Sequence, residues 1–139
     1  MRVDGSWSPV RRFGFQVVFC YWALYTTPLG GDSSVLGFLP WIGDKPTEWL
    51  FAPMRHLAMW LGAHVFHLSG AAASFHPTGS GDTALSWVVA LCDGVLALVA
   101  ATVWHVLDRK HAQYRTLAAW MRWWLAVTLG LTMLAYGFY

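Results

Sequence analysis

Charge is scarce in this sequence. Asp, Glu, Lys and Arg make up 12% of its 139 residues, about half the ~25% of an ordinary soluble domain. With 57% of the chain hydrophobic, so short a protein has too much surface to hide its apolar area. Lipid is therefore expected to be part of the solvent. A formal net charge of +2 is too small to suggest nucleic acid, and no basic stripe with interleaved aromatics is present. Cys20 and Cys92 are the only cysteines, and neither belongs to a redox CxxC. Ser-His-Asp spacing and paired carboxylates are also missing. These absences favour a non-enzymatic chain and suggest no resident cofactor, with quinone or lipid the only small molecules the composition leaves open.

Apolar runs are abundant. A bilayer span needs about 20 mostly apolar residues, and three segments qualify. Residues 13–29, FGFQVVFCYWALYTTPL, contain no Asp, Glu, Lys or Arg. Residues 84–107, ALSWVVALCDGVLALVAATVWHVL, contain one charge, Asp93. Residues 117–139, LAAWMRWWLAVTLGLTMLAYGFY, contain Arg122 near their start. The first run follows Arg11 and Arg12 as a signal peptide would. It is rich in bulky aromatics and lacks a small-x-small cleavage site, so a retained helix is expected.

Lys and Arg set the orientation. Arg2, Arg11 and Arg12 precede the first span, and Arg109, Lys110 and Arg115 lie between the second and third. The 30–83 connection holds only Lys45 and Arg55. Residues 1–12 and the 108–116 loop are read as cytoplasmic and 30–83 as external, in a bacterial inner membrane. Within that connection, residues 47–68 are apolar but carry Glu48, Arg55, His56, His64 and His67. A fourth span would put the basic loop outside, so an amphipathic helix lying on the outer leaflet is expected. Pro53 is expected in its first turn or at a bend. Trp41, Trp49, Trp60 and Trp87 would form the outer aromatic belt, and Trp104, Trp120, Trp123 and Trp124 the inner one. The fold class is an all-α membrane protein: three transmembrane helices plus one external interfacial helix.

The stretch FHPTGSGDT, residues 75–83, resembles a phosphate loop but has no lysine after its last glycine. Gly79 and Gly81 permit a tight reversal, and Asp82 or Thr83 can cap the following helix. Asp93 is the sharpest polar signal, because an ionisable residue inside a span is costly. On its helix face lie Ser86, Ala90, Ala97, Ala100 and Trp104, a small-residue stripe suited to close packing. At ~1.5 Å per residue, Thr26, Thr27, Thr128 and Thr132 fall near its depth and are expected to hydrogen-bond it. Either Asp93 is a structural hydrogen-bonding group or it serves a proton or a quinone headgroup. Arg122, about 13 Å away along the normal, is expected to snorkel to headgroups. His64 and His67, with His56, are weak metal candidates, since the ligand set is incomplete. Cys20 and Cys92 are separated by about 12 Å in depth, too far for a disulfide.

The order AMWLGAHVFHL, TGSGDT, WHVLDRK and WMRWWLAVTLGLTMLAYGF resembles the N-terminal portion of bacterial DoxX-like integral membrane proteins, over roughly residues 11–139. That resemblance implies a four-helix membrane bundle, with related chains continuing past the YGF stretch. It also implies one of two roles. One is an accessory subunit packing against other membrane chains or a second copy, in a respiratory or photosynthetic complex. The other is a quinone-interacting oxidoreductase component with Asp93 as proton carrier.

Overall fold

The computed structural model describes residues 7–27, 44–73, 75, 83–108 and 113–137. Among them the chain is helical throughout, with no strand: α1 Pro9–Thr26, α2 Asp44–His64, a short 3-10 turn Gly70–Ala73, α3 Ala84–Leu107 and α4 Arg115–Gly137. Two of these helices, α3 and α4, are long and apolar enough to cross a membrane. Three were expected, and α1 is the one that falls short. It begins at Pro9, not at residue 13, because the Ser8 hydroxyl oxygen accepts from the Arg11 amide at 3.3 Å. Pro9 fits the first turn, where its missing N–H is not needed. The helix stops at Thr26 because Thr27 precedes Pro28, and a residue before proline is driven out of the helical region. Thr27 is extended, at φ −101° and ψ 158°. The resulting 18-residue helix carries Arg11 and Arg12 in its first turn.

α3 is the central element. Its N-cap is Thr83, whose hydroxyl oxygen accepts from the Ser86 amide at 3.2 Å. One side of α3 faces α1 through Asp93, Ala97 and Ala101, all buried. α1 answers with Gln16 and Thr26, also buried, at a spacing that keeps both on one helix face. The two helices run antiparallel. Arg12 meets Asp108, Gln16 meets His105 and Phe19 meets Trp104. Of the small-residue stripe, Ala97 is buried, Ser86 and Ala90 are half-buried and Ala100 is exposed; Ala101, outside that stripe, is buried in its place.

The other side of α3 meets α2. Phe51, Met54 and Ala58 form a buried cluster with Leu85, Val88, Val89 and Cys92. α2 comes close to α3 at Gly62, where an added Cβ would lie 3.1 Å from Leu85 Cδ1, so that the leucine would have to shift. α2 differs from the expected 47–68 helix at both ends. It begins at Asp44 and closes at His64, where the Val65 and Phe66 amides bond back to the Leu61 carbonyl. Pro53 lies well inside it, so the Trp49 carbonyl loses its usual helical donor. Trp49, Leu50, Leu57 and Trp60 are exposed beside Arg55 and His56.

α4 is attached most lightly. Only 11% of its apolar stretch is buried, compared with 39% for α3. The buried positions are Tyr114 just before it, then Met121 and Thr128. Leu117, Ala118, Trp124 and Leu125 are half-buried alongside. This is a narrow seam with a seven-residue repeat. Trp120, Trp123, Leu129, Met133 and Leu134 are exposed.

Candidate functional site

Two groups of buried polar side chains lie along the α1–α3 interface. The first is Asp93, near the C-terminal end of α1. It is 1% exposed, and its Oδ1 is buried with no hydrogen-bond partner. The expected threonine shell does not form. Thr26 donates to the Trp22 carbonyl at 2.7 Å and Thr27 to the Leu24 carbonyl at 3.2 Å. Thr128 donates to the Trp124 carbonyl at 2.9 Å and Thr132 to the Thr128 carbonyl at 2.8 Å. Each hydroxyl has one proton, and each spends it on its own helix, a bond always within reach of a helical threonine. Depth along a helix alone does not direct a hydroxyl outward.

The second group is a connected polar network where α1, α3 and the start of α4 meet. Gln16 is its hub and is fully buried. Gln16 Nε2 lies 2.7 Å from the Tyr114 hydroxyl, and Gln16 Oε1 lies 2.9 Å from His105 Nδ1. Tyr114 donates to Asp108 Oδ2 at 2.8 Å, and Trp104 Nε1 donates to the same oxygen at 3.3 Å. Since Tyr114 gives its proton to the carboxylate, its oxygen accepts from the Gln16 amide. The Gln16 carbonyl oxygen therefore faces His105, which must carry its proton on Nδ1. Donation runs one way, from His105 through Gln16 and Tyr114 to Asp108.

Aromatic rings wall in the network. Phe15 stacks on Tyr114 at 5.7 Å, and Trp7 and Trp104 stand at 6.2 and 5.3 Å from it. Phe13 meets the His105 ring edge-on at 5.5 Å. The Arg12 guanidinium lies over Tyr114 at 5.9 Å and donates to the Asp108 carbonyl at 2.9 Å. Burial raises the Tyr114 pKa above its usual value; donation to Asp108 raises it further, and Arg12 pulls the other way. None of these residues was singled out as a site from the sequence. The available signal was Gln16, the one amide inside FGFQVVF, since a buried amide requires partners.

The remaining expectations are placed as follows. Thr83 caps α3 as expected, while Gly79, Gly81 and Asp82 lie outside the described residues. His56 and His64 are exposed on α2. His64 stacks on Trp60 at 5.0 Å, with its Nδ1 2.9 Å from the Trp60 carbonyl. His67 lies beyond the helix end in a left-handed conformation, φ 52°, so it does not share the helix face that a three-residue spacing implied. Among the described residues no three His, Cys, Asp or Glu side chains are grouped to hold a metal. Cys20 and Cys92 are both free. An open groove of about 580 Å³ lies between the end of α2 and α3, lined by Phe66, Leu68, Ala84, Trp87, Val88, Ala90 and Leu91. Among the described residues its lining is apolar, suited to an apolar group. Compared with family models, curated proteins and solved structures, the chain matches none.

Proposed function

We propose that this chain is a small integral membrane subunit whose role is to pack against another membrane chain. The observation behind it is α4, a helix apolar and long enough to span that touches the rest of the chain along one narrow seam. A soluble protein would not leave Trp120, Trp123, Leu129, Met133 and Leu134 in water together. In this reading α1 crosses as well, because it lies antiparallel along α3 and shares its depth. The α1 start, the α3 end and the α4 start then form one basic, cytoplasmic end, with Arg11, Arg12 and Arg115. A DoxX-like accessory role in a respiratory or photosynthetic complex of a bacterial inner membrane is part of the proposal. Two measurements test it. Cysteines introduced at Ser33 and Gln113 should label from opposite sides of the membrane. Particles extracted natively into nanodiscs should have a mass exceeding one chain. Same-side labelling or a lone chain would overturn it.

A second reading is a quinone-interacting component with Asp93 as proton carrier. It is favoured by the unpartnered Asp93 Oδ1 and by Ala90 of the apolar groove, one turn away on α3. Quinone bound to the purified chain, and lost in Asp93→Asn without loss of assembly, would establish it.

A further inference from the structure

Two features of α4 bear on the kind of partner it takes. Arg122 is exposed, about 10 Å into α4 from Arg115 at 1.5 Å per residue, and meets no acidic side chain among the described residues. A guanidinium at that depth on an apolar face is costly unless paired or drawn to the surface. Beside it, directly opposite the seam, Ala119, Ala126, Gly130 and Gly137 fall within roughly 40° of one another at 100° per residue. All four are exposed, and a Cβ added at Gly130 or Gly137 would meet nothing within 4 Å. This face is open to close approach by another helix, with a fixed positive charge at its edge.

We infer that this face of α4 docks a transmembrane helix of a different chain, one carrying a carboxylate about two turns inside the cytoplasmic surface that pairs with Arg122. The inference rests on the proposed packing role and names its partner's chemistry. Charge complementarity excludes a second copy. Across α1, α3 and α4 the only acidic residue is Asp93, and it is buried between α1 and α3. A second copy therefore offers Arg122 no exposed carboxylate from α1, α3 or α4.

The test uses the purified full chain in nanodiscs and two synthetic transmembrane helices of about 24 residues. These differ only in Glu or Gln two turns from one end, beside a small-residue stripe. Binding is read by energy transfer. The Glu helix should bind roughly three- to twentyfold more tightly, the span of interhelical hydrogen bonds in membranes. Arg122→Leu should abolish that preference and Gly130→Leu should abolish binding. Gly14→Leu on α1, equally free of neighbours, should change neither. Equal binding of the two helices, or binding that survives Gly130→Leu, overturns the inference. A homo-oligomer that Gly130→Leu splits would also overturn it, while leaving the packing role intact. A native particle holding a single chain would remove both.

Discussion

Gln16→Leu is the most informative change to this chain. The leucine fits the apolar surroundings of α1 but removes the acceptor of the His105 Nδ1 proton and the donor to the Tyr114 hydroxyl. The lost acceptor matters more, because an orphaned buried donor keeps its full desolvation cost. His105 is half-buried, so water recovers part of this. Two interhelical bonds of roughly 0.6–1.7 kcal/mol each put the loss at about 1–3 kcal/mol. Unfolding by a denaturing detergent in mixed micelles, followed by tryptophan emission, measures it, since Trp104 lies in the network. Pairing with Tyr114→Phe gives the stricter test. The two substitutions share a hydrogen bond, so their costs should fall short of additivity by about 0.5–1.5 kcal/mol. Gln16→Leu within about 0.5 kcal/mol of the wild type, together with an additive cycle, would refute the account of Gln16 as hub.

Three further outcomes are expected. Asp93→Leu should leave stability unchanged or raise it by about 1–3 kcal/mol in the same assay, because the carboxylate Oδ1 has no partner to lose; a clear loss would reveal a partner, and Asp93→Asn should be near neutral. Thr83→Ala should cost about 1 kcal/mol by uncapping α3, and Thr83→Asn should restore most of it. Because the Tyr114 pKa is raised on folding, the unfolded phenol ionises first; its contribution is full below about pH 10 and falls as pH rises through the folded value. Tyr114→Phe should flatten that alkaline limb of the stability profile, and an unchanged limb would mean that another group causes it.

The helices that the apolar pattern alone defines were legible. α3 matches its expected bounds to the residue, because Thr83 caps one end and Asp108 leaves the helix at the other. α1 was misjudged because hydropathy ignores what Ser8, Pro9 and Pro28 do to a backbone. α2 was legible as a helix, but the face it turns to α3 was not read from the sequence. The spacing of Phe51, Met54 and Ala58 carried the signal for it. Asp93 was found because an isolated charge stands out in an apolar run. Its surroundings were not, since a threonine can satisfy itself within its own helix. The Gln16 network joins residues 98 apart, a pairing that no local pattern in the sequence contains.

That separation also sets an order of events during synthesis. Gln16 leaves the ribosome early, but Tyr114 is made 98 residues later. At about 5–20 residues per second, the Gln16 amide waits on the order of 5–20 s for its partner. During that interval α1 carries an unsatisfied amide into whatever environment receives it. Only when Tyr114 arrives is the start of α4 tied to α1 and α3, so the outward face of α4 acquires a defined direction last.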